Sequence, residues 1–217
     1  MPELNSIDDL RELRHRIRED RDLTKPRIVT CAGTACQASG ANNIQRVIKR
    51  HLLERDLIDR VSLRITGCHG FCEMGPFVLT EPQNAFYVKV GTRDIPRIIN
   101  ATLSGTYVED KLYTDPETGK RYHHQRDIPF FARQKRTILG RNEDVDPIRL
   151  FGYIGRGGYT ALEKILERGD PRWVIDEVAA SGLRGRGGGG FPAARKWELA
   201  SRQPADGGKY VVCNADE

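Results

Sequence analysis

The sequence has no long hydrophobic run. No apolar segment approaches the roughly 18 residues that a membrane-spanning helix needs, and the charged N-terminus, MPELNSIDDLRELRHRIRED, lacks the apolar core of a secretory signal peptide. We therefore expect a cytoplasmic protein with no direct membrane span. In that compartment, reducing conditions disfavour structural disulfides.

The sequence also lacks the signatures of nucleic-acid binding. It contains no RNA-binding aromatic motif, no zinc-finger spacing and no helix-turn-helix pattern. The formal net charge is +5, but the 35 Lys and Arg residues are interleaved with 30 acidic residues. Such mixing is typical of a solvated surface, so we expect no nucleic acid among the partners.

Cysteines are few, and four of the five are clustered. They form the pattern Cys31-x4-Cys36 and Cys68-x3-Cys72, with 31 residues between the two arms. Clustered cysteines in a reducing compartment indicate metal ligands or redox groups, and an odd total fits four ligands plus one bystander. Cys213 ends an apolar segment, and we interpret it as a buried thiol rather than a ligand.

The predicted elements bring the two arms together. Residues 27–30 and 61–66 have strand patterns, and a helix predicted between them makes the two strands parallel neighbours. Cys31 and Cys68 follow these strands, so both arms should lie at one edge of the sheet. The surrounding loops are rich in small residues, which lets backbone N–H groups approach sulfur. The pattern predicts one iron–sulfur site, most readily 2Fe–2S.

Other interpretations of the cysteines remain open. A four-cysteine zinc site usually has tighter C-x2-C arms, and a disulfide would suit an oxidising compartment. Unligated thiols are the remaining alternative. His69 lies between two predicted ligands, but four thiolates already suffice, so we expect it to face solvent or to hydrogen-bond the site.

The remaining pattern predicts an α/β chain in several parts. Further elements are a helix over 6–20 capped by Ser6, strands at 77–80 and 85–90, a helix from Thr92, and a hairpin within 112–123. The predicted organisation is an N-terminal helix (1–24), a cysteine-bearing domain (25–106), a polar connector (107–146) and a second domain (147–217).

Residues 27–104 resemble the thioredoxin-like 2Fe–2S ferredoxins in their C-x4-C…C-x3-C pattern and in the βαβ-ββα order. In that family the four cysteines hold the cluster. The resemblance therefore implies that Cys31, Cys36, Cys68 and Cys72 are the metal ligands here.

A glycine run marks the second domain. Residues 185–190 satisfy G-x-G-x-x-G, but the run follows a predicted helix rather than a strand, so a Rossmann site is disfavoured. Glycines still let the backbone approach a ligand, and a helix from Pro192 with Arg186, Arg195 and Lys196 suits phosphate. The alternative is a flexible loop without function. The pattern of residues 209–213 predicts a buried strand.

The string SGLRGRGGGGFPAARKW, with the terminal CNADE and the segments at 136–147 and 153–166, resembles the flavin- and NADH-binding subunit of respiratory complex I and related NAD(P)-linked hydrogenases and formate dehydrogenases. That resemblance implies an FMN and NAD(H) or NADP(H) site, with Phe191 near the nicotinamide. The implied cofactor-binding residues are Gly185, Arg186, Gly187, Gly189, Phe191, Lys196, Asn214, Asp216 and Glu217.

The two resemblances together imply an oxidoreductase subunit of the NADH dehydrogenase type. It would pass hydride from NAD(P)H to FMN and single electrons to iron–sulfur clusters, within a complex of other redox subunits. The flavin domain is expected to be incomplete, with a 4Fe–4S cluster only in the missing C-terminal part. The alternatives are a one-electron carrier or docking module without catalysis, and a four-cysteine zinc scaffold.

Overall fold

The structure is a computed structural model that describes residues 3–20, 22, 24–137, 139–205, 207–210 and 212. The chain divides into two compact units after Gly158. Among the described residues, no helix is both long and apolar enough to cross a membrane.

The N-terminal helix α1 (Ile7–Glu19) begins with a reciprocal cap. The Ser6 hydroxyl accepts a hydrogen bond from the Asp9 N–H at 3.1 Å, and the Asp9 carboxylate accepts one from the Ser6 N–H at 2.9 Å. These bonds satisfy N–H groups that have no partner within the helix. The predicted helix and its Ser6 cap are confirmed.

Replacing Ser6 by alanine is expected to lower the free energy of unfolding by about 1 kcal/mol, because an alanine N-cap leaves the Asp9 N–H without its acceptor. Urea denaturation followed by circular dichroism measures this loss. Ser6→Asp retains an accepting oxygen and should stay close to the original stability. Equal losses in both variants would contradict a capping role.

The cysteine-bearing domain follows the predicted order of elements. They are β1 (Arg27–Cys31), α2 (Thr34–Ala38), α3 (Ala41–Glu54), β2 (Ser62–Thr66), β3 (Val78–Glu81), β4 (Phe86–Tyr87) and α4 (Ile95–Ser104). The sheet order is β2-β1-β3-β4. β1 pairs with β2 in parallel, with Cys31 opposite Thr66, and pairs with β3 in the antiparallel direction. The predicted parallel pair is confirmed.

Two apolar clusters hold this domain together. One joins the sheet to α3 and α4 through buried aliphatic side chains, including Ile28, Ile48 and Ile98. The other surrounds the carboxyl ends of β1 and β2 and contains Cys31, Cys36 and several aromatic rings. The cysteines are therefore part of a core rather than of a free surface loop.

The predicted strand at 85–90 is shorter in the structure. β4 includes only Phe86 and Tyr87. Lys89 has a φ of 47°, and the Val88 N–H donates to the Lys111 carbonyl instead of to a strand in the sheet. The left-handed backbone at Lys89 turns the chain out of the ladder.

Residues beyond α4 pack onto the same unit. They form the hairpin β5 (Tyr113–Thr114) and β6 (Arg121–Tyr122), then α5 (Pro129–Ala132) and α6 (Leu150–Gly155). The hairpin is as predicted. Ile128 and Phe131, within the predicted connector, are buried in the cysteine cluster. α6 packs against α1, with Gly155 next to Ile17. The first compact unit therefore includes α6 and extends to Gly158, beyond residue 147.

The second unit contains α7 (Thr160–Arg168), α8 (Pro171–Ala180) and α9 (Ala193–Ser201). Gly169 ends α7 with a φ of 63°, and the Asp170 side chain caps α8 by accepting a hydrogen bond from the Arg172 N–H. The predicted buried strand at 209–213 is not seen in its described part, since Tyr210 and Val212 are exposed and lie outside any strand. A strand needs a pairing partner, and the described residues of this unit contain no other strand.

Candidate iron–sulfur site and glycine loop

The four clustered cysteines converge at the carboxyl ends of two parallel strands. Cys31 ends β1, and Cys36 lies in α2 just beyond it. Cys68 and Cys72 lie in the loop that follows β2. The parallel register therefore places both arms at one edge of the sheet, as the spacing predicts.

The thiols form two close pairs. The Sγ atoms of Cys68 and Cys72 are 3.9 Å apart. The Cys36 thiol hydrogen-bonds to Cys31, which is the main reason that the pKa of Cys31 falls to about 6. Cys31 and Cys36 are each 1% exposed, whereas Cys72 is exposed. The candidate site thus has an inner and an outer pair of thiols.

Backbone N–H groups point at the sulfur atoms. The N–H of Gly33 donates to Cys31 Sγ at 3.2 Å, and the N–H of His69 also donates to it. The N–H of Gly70 donates to Cys68 Sγ at 3.3 Å. Such bonds favour the thiolate form and tune the potential of a bound iron–sulfur group.

Two glycines leave the space that a bound group would need. A Cβ atom at Gly33 would lie 3.3 Å from both Cys31 Sγ and Cys68 Sγ. A Cβ atom at Gly75 would lie 3.0 Å from Cys36 Sγ. Glycine at these positions keeps the region between the four sulfurs free of side chains.

The donor set fits a two-iron cluster. A 2Fe–2S group takes four thiolates, two on each iron, which matches two thiol pairs with N–H donors around a glycine-lined space. Within the described ranges, no three His, Cys, Asp or Glu side chains are grouped so that they could hold one metal ion. A structural zinc site would also take four thiolates, around a single ion.

Of the two expectations for His69, the structure agrees with hydrogen bonding at the site and not with a solvent-facing ring. Its side chain is completely buried and packs edge-on against Phe77. The ring nitrogens lie 2.9 Å from Thr66 Oγ1 and 3.3 Å from Gln125 Oε1. Burial lowers the pKa of His69 to about 4, so the ring is neutral and ties the ligand loop to β2 and to residue 125.

A strap covers the second ligand loop, and sequence reasoning missed it. We define the strap as residues 131–137 and 139–146. The Gly67 N–H donates to the Val145 carbonyl at 3.3 Å, and a Cβ atom at Gly67 would lie 3.1 Å from Asn142 Cβ. The apolar residues Ile128 to Phe131, within the otherwise polar connector, were the sequence signal that this segment packs on the domain.

Aromatic rings hold the strap and the ligand loop together. The ring of Phe71, next to Cys72, stacks on Phe130 at 4.5 Å and meets Phe131 edge-on at 5.3 Å. Phe131 in turn contacts Phe86 of β4. The loop that carries Cys68 and Cys72 is thereby packed on both the sheet and the strap.

The glycine run forms a closed loop between α8 and α9. The backbones of Arg184 and Pro192 form an isolated antiparallel β-bridge, and the Gly185 N–H donates to the Phe191 carbonyl at 2.9 Å. Gly188 and Gly190 have φ values of 110° and 56°, which L side chains rarely adopt. The loop therefore requires glycine for its shape.

The predicted flavin residues are only partly brought together by the described structure. Gly185, Arg186, Gly187 and Gly189 lie in the loop, which also carries the half-exposed Phe191. Lys196 lies in α9, directly after the loop. The predicted contacts Asn214, Asp216 and Glu217, like Cys213, lie outside the described residues.

Comparison with known families gives two matches, one to each motif. Residues 19–103 match the model of the thioredoxin-like [2Fe-2S] ferredoxins. Residues 178–217 match the model of the Nuo51 FMN-binding domain. The two predicted resemblances are confirmed over these segments, as is the α/β fold class with a thioredoxin-like N-terminal domain.

Curated relatives are similar over part of the chain. The NADP-reducing hydrogenase subunit HndC of Solidesulfovibrio fructosivorans is 51% identical over 73 residues, which is 34% of this chain and 14% of that protein. An NADH-quinone oxidoreductase chain of Aquifex aeolicus is 52% identical over 65 residues, 30% of this chain and 15% of that protein. The matched segments thus span only about a seventh of these relatives.

Solved structures are also similar to the chain. A thioredoxin-like [2Fe-2S] ferredoxin from Aquifex aeolicus aligns with 45% of this chain and 98% of its own, at 19% identity and a TM-score of 0.39. An NAD+-reducing [NiFe]-hydrogenase aligns with 91% of this chain and 34% of its own, at 15% identity and a TM-score of 0.34.

Proposed function

We propose that this chain is an electron-transfer subunit of an NAD(P)H-linked oxidoreductase, with a 2Fe–2S cluster held by Cys31, Cys36, Cys68 and Cys72. The observation that carries this proposal is the meeting of two thiol pairs at one sheet edge, with N–H groups aimed at sulfur. The match of residues 19–103 to [2Fe-2S] ferredoxins supports it.

The chain's own residues provide the environment of the cluster. Gly33 and Gly70 donate N–H hydrogen bonds to sulfur, and the buried His69 fixes the ligand loop. A 2Fe–2S group supplies transfer of one electron at a time when bound. Cys72 is exposed, so the outer thiol pair lies nearest to solvent, where a redox partner would approach.

We propose that the glycine loop contributes to an FMN site, with NAD(P)H as the hydride donor. The match of residues 178–217 to an FMN-binding domain supports this, and Arg186 and Lys196 supply positive charge for a phosphate. FMN, when bound, accepts hydride and passes electrons on singly. The partners would be other subunits of a redox complex.

The metal content of the purified full chain tests the cluster. We expect visible absorption bands that bleach on reduction with dithionite, and about two iron atoms per chain. A colourless protein that contains zinc would contradict the proposal and favour the zinc scaffold. Iron with bleachable bands but no FMN binding would support a one-electron carrier without catalysis.

Gly189→Ala tests the flavin loop without disturbing the fold. A Cβ atom at Gly189 meets nothing within 4 Å, and its φ lies outside the left-handed region, so the substitution should leave stability unchanged. If the backbone there approaches FMN, affinity should fall about tenfold, since first- and outer-shell changes at cofactor sites commonly cost that much. Quenching of FMN fluorescence during titration into the full chain measures it.

Gly207→Ala is the matched control, since its Cβ atom also meets open space in the same unit. It should bind FMN like the original chain. Unchanged affinity in Gly189→Ala would contradict the assignment of this loop to the flavin.

A further inference from the structure

One partly buried cation faces the ligand loop. The Arg136 side chain is 13% exposed, and its guanidinium lies 5.5 Å from the centre of the Phe131 ring. Its Nη1 forms an ion pair with Glu143. Its Nη2 points towards the ligand loop, where a Cβ atom at Gly70 would lie only 3.6 Å away.

The position of Arg136 relates directly to a predicted ligand. The Gly70 N–H donates to Cys68 Sγ, so the guanidinium lies close to a residue that already contacts sulfur. Burial lowers the pKa of Arg136, and the charge of the Cys68 thiolate partly offsets this effect. Arginine stays protonated in such surroundings. A permanent positive charge therefore lies beside the outer thiol pair.

We propose that Arg136 is a positioning residue that raises the reduction potential of the cluster, with Glu143 opposing it. The proposal rests on the proposed function, because it requires a 2Fe–2S group on the four cysteines. Reduction adds one negative charge to the cluster, and a nearby, partly buried cation stabilises the reduced form more than the oxidised form.

The two charged residues of this proposal belong to the strap and not to the ferredoxin-like segment. Arg136 and Glu143 lie outside residues 19–103, the segment that matches the ferredoxins. The strap packs on the ligand loop through Gly67, Asn142 and the Phe71 ring. Residues beyond the ferredoxin segment would therefore contribute to the potential, in addition to the N–H donors within it.

Redox titration of the full chain, followed by the visible bands, tests this proposal. Arg136→Met should lower the ratio of reduced to oxidised cluster about tenfold at a fixed ambient potential, a shift of about −59 mV for one electron. Arg136→Lys keeps the charge and should shift less. Glu143→Gln removes the opposing charge and should shift the potential upwards.

The opposite signs separate electrostatics from loosened packing, since disruption of the strap alone would move both variants in the same direction. Arg126→Met is the matched control, because this arginine is 86% exposed and pairs with Asp127. It should keep the original potential, and a shift equal to that of Arg136→Met would overturn the local effect.

Two failures remain distinguishable. A colourless original protein would reject the proposed function itself. If the original protein is coloured and neither Arg136→Met nor Glu143→Gln changes its potential, only the role of Arg136 is rejected. If Arg136→Met fails to retain the cluster, the upward shift of Glu143→Gln still decides the question.

Discussion

Replacing Cys31 by alanine is expected to abolish the bleachable visible absorption and to remove most of the iron. Cys31 is one of the two buried predicted ligands, and the N–H groups of Gly33 and His69 and the Cys36 thiol all converge on its sulfur. Alanine fills almost the same buried volume but provides no thiolate. Iron analysis and absorption spectra of the purified variant measure the loss.

Cys213→Ala is the matched control for this variant. It removes a thiol that the sequence pattern assigns to an apolar segment rather than to the site. It should keep the colour and the iron of the original chain. Circular dichroism should show the same secondary structure in both variants. Retention of full colour in Cys31→Ala, or its loss in Cys213→Ala, would contradict the assigned ligand set.

Gly33→Ala is expected to reduce cluster retention about tenfold, with a smaller effect on the stability of the unloaded protein. The backbone at Gly33 is extended, with φ of −60° and ψ of 148°, so alanine fits it without strain. The added methyl would, however, lie 3.1 Å from Cys68 Cβ and 3.3 Å from two sulfur atoms. Thermal unfolding of the unloaded protein and reconstitution with iron and sulfide separate the two effects.

Gly75→Ala provides an independent test from the other side of the site. Its methyl would lie 3.0 Å from Cys36 Sγ and should also weaken retention. Gly91→Ala is the control in the same domain, since its nearest neighbour is an Asp94 carboxylate oxygen at an ordinary 3.5 Å. Equal retention in all three variants would show that the glycines do not frame the cluster.

The cysteine edge could be predicted because its determinants are local. Strand alternation in residues 61–66 and the short apolar segment before Cys31 identify two strands, and the intervening helix fixes them as parallel. Each cysteine arm directly follows its strand, so topology alone brings the arms together. The Ser6 cap and the Gly169 helix end were predictable for the same reason.

The strap could not be predicted in this way. Residues 105–146 are polar and contain few periodic apolar positions, which is typical of a connector. Their packing depends on isolated residues such as Ile128 and Phe131, whose partners lie far away along the chain. The contact of Arg136 with the ligand loop likewise has no local signal. The structure of such a segment depends on long-range packing.

The segment at 209–213 shows the opposite error. Its composition, KYVVC, favours a strand, yet Tyr210 and Val212 are exposed. β propensity describes how well a side chain fits a pleated, half-buried surface and does not create that surface. The described residues of the second unit contain no other strand with which this segment could pair.

The parallel pairing of β1 with β2 also couples cofactor capture to folding. Cys31 and Cys68 belong to distant parts of the chain and meet only when this pairing has formed. A denatured chain therefore presents no assembled ligand set, and binding to the native state alone shifts the folding equilibrium by mass action. A bound cluster would therefore stabilise the pairing of β1 with β2, and release of its iron should lower the stability of this sheet edge.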